Sequence, residues 1–129
     1  MIRPGPIPDG ARLLHIGPHK TGSTALQSAF DQSRDEMEQA HVRYGSVGRH
    51  DGRAVRWLTD RMLPGMTGRY QPARWDRMKH LLRSEPGWRS VVSSEFFSDA
   101  RDEHIDRVAA ELGVEDTGVA VTLRPPASI

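Results

Sequence analysis

Residues 17–24 read Gly-Pro-His-Lys-Thr-Gly-Ser-Thr, so two glycines, one lysine and three hydroxyl side chains fall within eight positions. Gly17 and Gly22 allow the backbone to curl so that several N–H groups converge. A helix that starts near Ser23 adds its positive N-terminal end to the same spot. Ser23 and Thr24 offer hydroxyl donors, and Lys20 offers a full positive charge. The segment therefore suits a bound anion. Its Gly-x-x-x-x-Gly spacing is that of a phosphate-binding P-loop, but Ser23 stands where a nucleoside triphosphatase needs lysine. The spacing alone is weak, because glycine and threonine are common in any strand-to-helix turn. The run His19-Lys20-Thr21-Gly22-Ser23-Thr24 directly after an apolar strand is much more specific. Two other charged residues, Glu95 and Arg124, follow apolar runs in the same way. His15 and His19 read as packing and loop support.

The elements that must position these groups follow from hydrophobic periodicity. Residues 13–16, Leu-Leu-His-Ile, form a short apolar run closed by Gly17-Pro18 and bounded like a buried strand. A helical pattern follows. Leu26, Ala29, Phe30, Met37 and Ala40 share one face, and Gln27, Asp31, Arg34, Asp35 and Glu38 share the other. Residues 42–52 are glycine-rich and read as irregular, with 42–44 a candidate brief strand. Val55, Leu58 and Met62 form a stripe ended by Pro64-Gly65. Pro72 suits the first turn of the next helix, in which Trp75, Met78, Leu81 and Leu82 face inward up to Pro86-Gly87. These Met and Trp stripes read as core contacts.

Residues 88–94 form a second strand, followed by Glu95-Phe96-Phe97. Ile105, Val108, Ala109 and Leu112 line a further amphipathic helix that stops at Gly113. Residues 118–124 form a third strand, which Pro125-Pro126 forbids from continuing. Strands alternating with helices imply a parallel sheet with right-handed crossovers. The expected fold is a P-loop-like, three-layer α/β/α arrangement with an incomplete parallel sheet of about three strands. In such sheets ligands bind beyond the carboxyl ends of the strands, and at those ends stand residues 17–24, Glu95 and Arg124.

Composition sets the outer limits. The 129 residues suffice for one domain. An apolar fraction of 36% is low for a fold with a buried parallel sheet, which implies apolar faces that meet sequence not present here. A formal charge of +1 gives no global field for a nucleic-acid or membrane partner. Only Lys20 and Lys79 are lysines among the 18 basic side chains, an arginine bias without any block of charge. The absence of cysteine excludes disulfides, thiolate metal sites and a cysteine nucleophile. No apolar run approaches the ~20 residues of a membrane span. Residues 1–12, with Pro4, Pro6 and Pro8, read as a flexible leader without a secretory apolar stretch, so a cytoplasmic protein is expected.

The segment from Leu14 to Gln27, centred on Gly17-Pro18-His19-Lys20-Thr21-Gly22-Ser23-Thr24, resembles the 5′-phosphosulfate-binding motif of bacterial, carbohydrate-type sulfotransferases. That family uses 3′-phosphoadenosine 5′-phosphosulfate (PAPS). Val92-Ser93-Ser94-Glu95-Phe96-Phe97-Ser98 and Val121-Thr122-Leu123-Arg124-Pro125-Pro126 are similar to the same family in the same order, whereas residues 42–89 carry no match. The resemblance implies a donor-binding loop of His19, Lys20, Thr21, Gly22, Ser23 and Thr24. Within it Lys20 meets the bridging oxygen of the phosphosulfate, and Thr21 to Thr24 hold the 5′-phosphate. Arg124 would grip the 3′-phosphate as a fork of donors.

The resemblance also implies that Glu95 is the general base, a place where other members use histidine. A surface or helix-capping glutamate is the plainer reading of the same residue. The implied reaction moves a sulfuryl group from PAPS to the hydroxyl, or less readily the amine, of a small-molecule or carbohydrate acceptor, without a metal. Family members pair the 3′-phosphate arginine with a serine farther along than Ser128. Residues 13–129 are therefore expected to be the N-terminal, nucleotide-binding part of a truncated domain. The alternatives are a P-loop small-molecule kinase and a catalytically inactive sulfotransferase remnant.

Overall fold

A computed structural model describes residues 7–17, 23–49, 52–59 and 71–123. Strand β1, Arg12–His15, leads into helix α1, Ser23–Gln32, and then α2, Arg34–Gln39. Strand β2, Val42–Tyr44, precedes α3, Gly52–Leu58, and α4, Gln71–Leu81. Strand β3, Arg89–Ser93, runs into a short 3₁₀ turn, Glu95–Asp99. Helix α5, Asp102–Leu112, and strand β4, Thr117–Ala120, complete the described elements.

The four strands form one sheet in the order β2-β3-β1-β4, and every neighbouring pair is parallel. The mixed α/β class with a parallel sheet is as expected, but the strand count rises from about three to four. Val42–Tyr44 is a true strand that pairs with residues 89–91. Its weak sequence signal has a cause. It is only three residues long and its middle residue is Arg43, whose guanidinium is occupied with the Leu81 and Arg83 carbonyls and the Glu85 carboxylate.

Side chains alternate across the strands and thereby sort the helices into layers. Leu14 and Val92 face a core built with Ala54, Val55 and Leu58 of α3, Trp75 and Met78 of α4, and Leu82 and Phe97. Val108 and Leu112 of α5 pack against its margin. His15, Ser93 and Tyr44 point to the opposite face, where Gln27 and Phe30 of α1 meet them. Helices α3 to α5 thus cover one face and α1 the other, a three-layer arrangement.

Local sequence chemistry explains several details. The helical pattern read as continuous from 26 to 40 breaks at Ser33, so α1 and α2 are separate. Gly45 follows β2 where an added Cβ would lie 2.4 Å from Leu82 Cδ2 and 3.2 Å from Val92 Cβ, so the close approach of this turn to the core requires glycine. Gly17 closes β1 with φ of 95°, a left-handed backbone that glycine adopts without a Cβ clash.

Arg12 is 4% exposed, although the sequence placed it at the end of a flexible leader. Its guanidinium reaches the Leu82 carbonyl after α4 at 2.6 Å, the Leu112 carbonyl at the end of α5, and Thr117 Oγ1 at 3.1 Å. A cation at two helix C-termini satisfies carbonyls that otherwise lack partners. The leader's last residues also belong to the fold, because Gly10 N–H donates to the Trp88 carbonyl and Arg89 to that of Ile7. No helix among the described residues is long and apolar enough to cross a membrane.

Candidate functional site

The carboxyl ends of β1 and β3 lie side by side at the middle of the sheet, with His15 registered against Ser93. At this point the two chain directions part: β1 continues toward β2 through α1, and β3 continues toward β4 through α5. A crevice outside such a point is where open parallel sheets take ligands. The chain leaves β1 through Ile16 and Gly17, and α1 begins at Ser23. His19, Lys20, Thr21 and Gly22 of the expected loop, and Arg124, lie outside the described residues. Ser23 opens α1, and Thr24 is exposed in its first turn. That turn contains no acidic residue, so its positive end is not neutralised from within the helix.

Glu95 stands two residues beyond β3, at the start of the 3₁₀ turn, and is half-buried. Gln27 reaches it from α1. The Gln27 amide donates to Glu95 Oε2 at 2.7 Å and more weakly to Ser93 Oγ at 3.3 Å. One carboxylate oxygen is therefore held in place by the helix that follows the loop. The Gln27 side chain is fully buried, while Leu26 beside it is 37% exposed. This reverses the helix face expected from hydrophobicity, which put Leu26 inside and Gln27 outside.

A bonded chain continues from Gln27 into the sheet. His15 Nδ1 lies 2.7 Å from Ser93 Oγ, and His15 Nε2 meets Thr122 Oγ1 just after β4. Each hydroxyl can donate or accept, so either neutral tautomer is accommodated. Burial holds His15 below the ordinary imidazole value, and the nearby Glu95 carboxylate pushes it the other way. A neutral His15 is what packing and hydrogen bonding favour, so its place is in the support of the site. The chain Thr122–His15–Ser93–Gln27–Glu95 ties together the carboxyl ends of three strands and helix α1.

Two buried polar atoms beside this chain, Gln27 Oε1 and Ser94 Oγ, have no hydrogen-bond partner. Buried acceptors and hydroxyls of this kind are normally met by water, protein or ligand. Among the described residues no group of three or more His, Asp or Glu side chains is placed to hold a metal. An apolar cleft of about 420 Å³ lies on the opposite face of the sheet, between α5 and β4, with Leu14, Ile16, Phe97, Val108 and Val119 in its walls. It shares no lining residue with the Gln27–Glu95 pair.

Of the residues to which the sequence points, Glu95 opens the 3₁₀ turn after β3, and Ser23 and Thr24 open α1. Sequence reasoning gave no role to Gln27, Ser93 or Thr122. A signal for them did exist: His15 and Ser93 are polar residues that end β1 and β3 directly after the apolar pairs Leu13-Leu14 and Val91-Val92, so the helix on that face must supply a polar partner. No family model, no curated protein and no solved structure matches this chain.

Proposed function

We propose that this chain forms the donor-binding part of a PAPS-dependent sulfotransferase. The observation that carries the reading is the 2.7 Å bond from Gln27 to Glu95. It joins the helix after the anion-suited loop to a carboxylate at the end of the adjacent strand, so a phosphosulfate held over the first turn of α1 and a base for the acceptor would share one crevice. The placement of α1 behind the central strand and the lack of acid in its first turn support the same reading.

In this mechanism the acceptor hydroxyl attacks sulfur in line with the bridging oxygen of the phosphosulfate. The new sulfur–oxygen bond forms as the bond to the bridging oxygen breaks, and adenosine 3′,5′-bisphosphate departs with that electron pair. Glu95 takes the acceptor proton. Lys20 and the N-terminus of α1 offset the charge that builds on the leaving phosphate, and Arg124 holds the 3′-phosphate. Positioning and preorganised charge supply the catalysis.

The test is titration calorimetry of the protein with adenosine 3′,5′-bisphosphate and, separately, with ATP and Mg²⁺. Binding of the bisphosphate without Mg²⁺ is expected, and Lys20→Ala should weaken it. Where sulfuryl transfer is measured, the same substitution should lower kcat by about 10²–10³-fold, the loss produced by removing one preorganised donor from a developing oxyanion. Preference for the triphosphate, dependent on Mg²⁺, would instead identify a kinase or nucleoside triphosphatase.

A further inference from the structure

The Gln27 amide meets two groups with the same nitrogen. Its Nε2 lies 2.7 Å from Glu95 Oε2 and 3.3 Å from Ser93 Oγ, while its Oε1 is buried and has no hydrogen-bond partner among the described residues. Glu95 dictates that orientation. A carboxyl group of ordinary pKa is ionised at neutral pH, and a carboxylate only accepts. Turning the amide over would set its carbonyl against the carboxylate, so the amide nitrogen stays toward Glu95 and the carbonyl is left without a donor. An orphaned acceptor on a fully buried side chain costs stability, and its presence here is a mark of the carboxylate's control.

The constraint passes on to Ser93. Among the described residues its hydroxyl meets the Gln27 amide and His15 Nδ1, the latter at 2.7 Å. The amide donates to it, so of these two groups only His15 Nδ1 can take the Ser93 proton. That nitrogen is then bare, and the ring proton sits on Nε2, which donates to Thr122 Oγ1. The two hydroxyls alone would suit either tautomer, whereas the amide suits one. His15 is 5% exposed, and burial disfavours the imidazolium, in which both nitrogens would donate.

We infer that Gln27 and His15 are positioning residues of Glu95: the carboxylate orients the Gln27 amide, and the amide, through Ser93, fixes His15 as its neutral Nε2–H tautomer. The base role of Glu95 rests on the donor-binding reading, whereas the tautomer rests on hydrogen bonding alone. The arrangement suits a base. Gln27 ties one carboxylate oxygen to the helix that begins at Ser23, and a neutral ring on the far side of Ser93 leaves the carboxylate its affinity for the acceptor's proton. An imidazolium at the same place would lower that affinity.

The test is nuclear magnetic resonance of protein with nitrogen-labelled histidine at about pH 7.5, above the ordinary imidazole value. A two-bond nitrogen–proton correlation distinguishes the protonated ring nitrogen from the bare one. The chain has six histidines, and the His15 signals are those that disappear in His15→Gln. The wild type is expected to show the Nε2–H form. Gln27→Glu presents Ser93 with a group that accepts, even where one proton is shared between the two carboxyl groups. Ser93 must then donate to it and accept from His15, so the ring proton should move to Nδ1. A wild type with the Nδ1–H form, with both forms in comparable amounts or with both nitrogens protonated overturns the inference. So does a folded Gln27→Glu protein that keeps the Nε2–H form. The wild-type spectrum decides on its own where that variant does not fold. No spectrum involves nucleotide, so failure to bind adenosine 3′,5′-bisphosphate removes the donor-binding reading without touching the tautomer, and the wrong tautomer leaves nucleotide binding in place.

Discussion

Placing a proton on His15 would put a charge in a site that is 5% exposed and built from hydroxyls. Its native pKa is depressed by that burial, whereas the unfolded chain titrates near 6.5. The sign follows from linkage. Above the unfolded value neither state binds the proton, and the stability contributed by neutral His15 is fully present. As the pH falls below about 6.5, the unfolded chain takes up a proton that the native state resists, and stability declines. His15→Gln should remove this part of the acid sensitivity. In urea denaturation at about pH 7.5 and pH 5, the variant should lose less stability than the wild type, and equal losses would refute the account. Gln27→Glu should act in the opposite direction. It sets a second carboxylate against Glu95 at a contact now 2.7 Å long, and two such groups resist ionising together. The destabilisation should be greatest at neutral pH and should ease in acid. Each unit by which the pair's pKa is raised corresponds to about 1.4 kcal/mol.

Among the elements, the turn after β2 is the most tightly constrained. Gly45→Ala would drive a methyl group against Leu82 and Val92, both fully buried, and should cost about 1–3 kcal/mol as an overpacking change. The measure is the shift in urea midpoint at unchanged slope. Strands β1, β3 and β4 were legible because each is an apolar run closed by glycine, proline or a polar segment. Strand β2 was only a candidate, because three residues around an arginine resemble a loop until Glu85 and the Leu81 and Arg83 carbonyls are seen to receive that arginine. The face of α1 was misread for a related reason. Hydrophobicity ranks Leu26 above Gln27, but the strand surface facing α1 presents His15 and Ser93, and only a polar side chain can meet them. Likewise Ile105 belongs to α5's apolar stripe by periodicity, yet it is 55% exposed, at the wall of the apolar cleft. Periodicity identifies an amphipathic face without identifying what that face will touch.

At the scale of the whole molecule, one arginine links elements that are remote in sequence. Arg12 starts the strand shared by β3 and β4 and bonds to the chain just after α4, at the end of α5 and in β4. Burial lowers its pKa, and the neighbouring Asp116 opposes that effect. Arg12→Met would leave buried carbonyls without donors at about 1–3 kcal/mol each, so the global unfolding free energy should fall by roughly that amount or more. Because the contacts span both sides of the chain, the loss should appear as one cooperative transition at lower denaturant. A local loosening with an unchanged midpoint would contradict it.

The sheet order has a temporal consequence. Of the four described strands, the one that pairs with both β3 and β4 is synthesised first, and its partner β3 comes 78 residues later, as the spacing of His15 and Ser93 records. At ribosomal speeds of ~5–20 residues per second, Leu13 and Leu14 emerge roughly 4–16 s before β3 exists to receive them. During that interval the nascent chain carries an unpaired apolar strand next to the glycine-bearing loop, and a chaperone that shields this N-terminal segment should raise the yield of folded protein more than one acting after chain release.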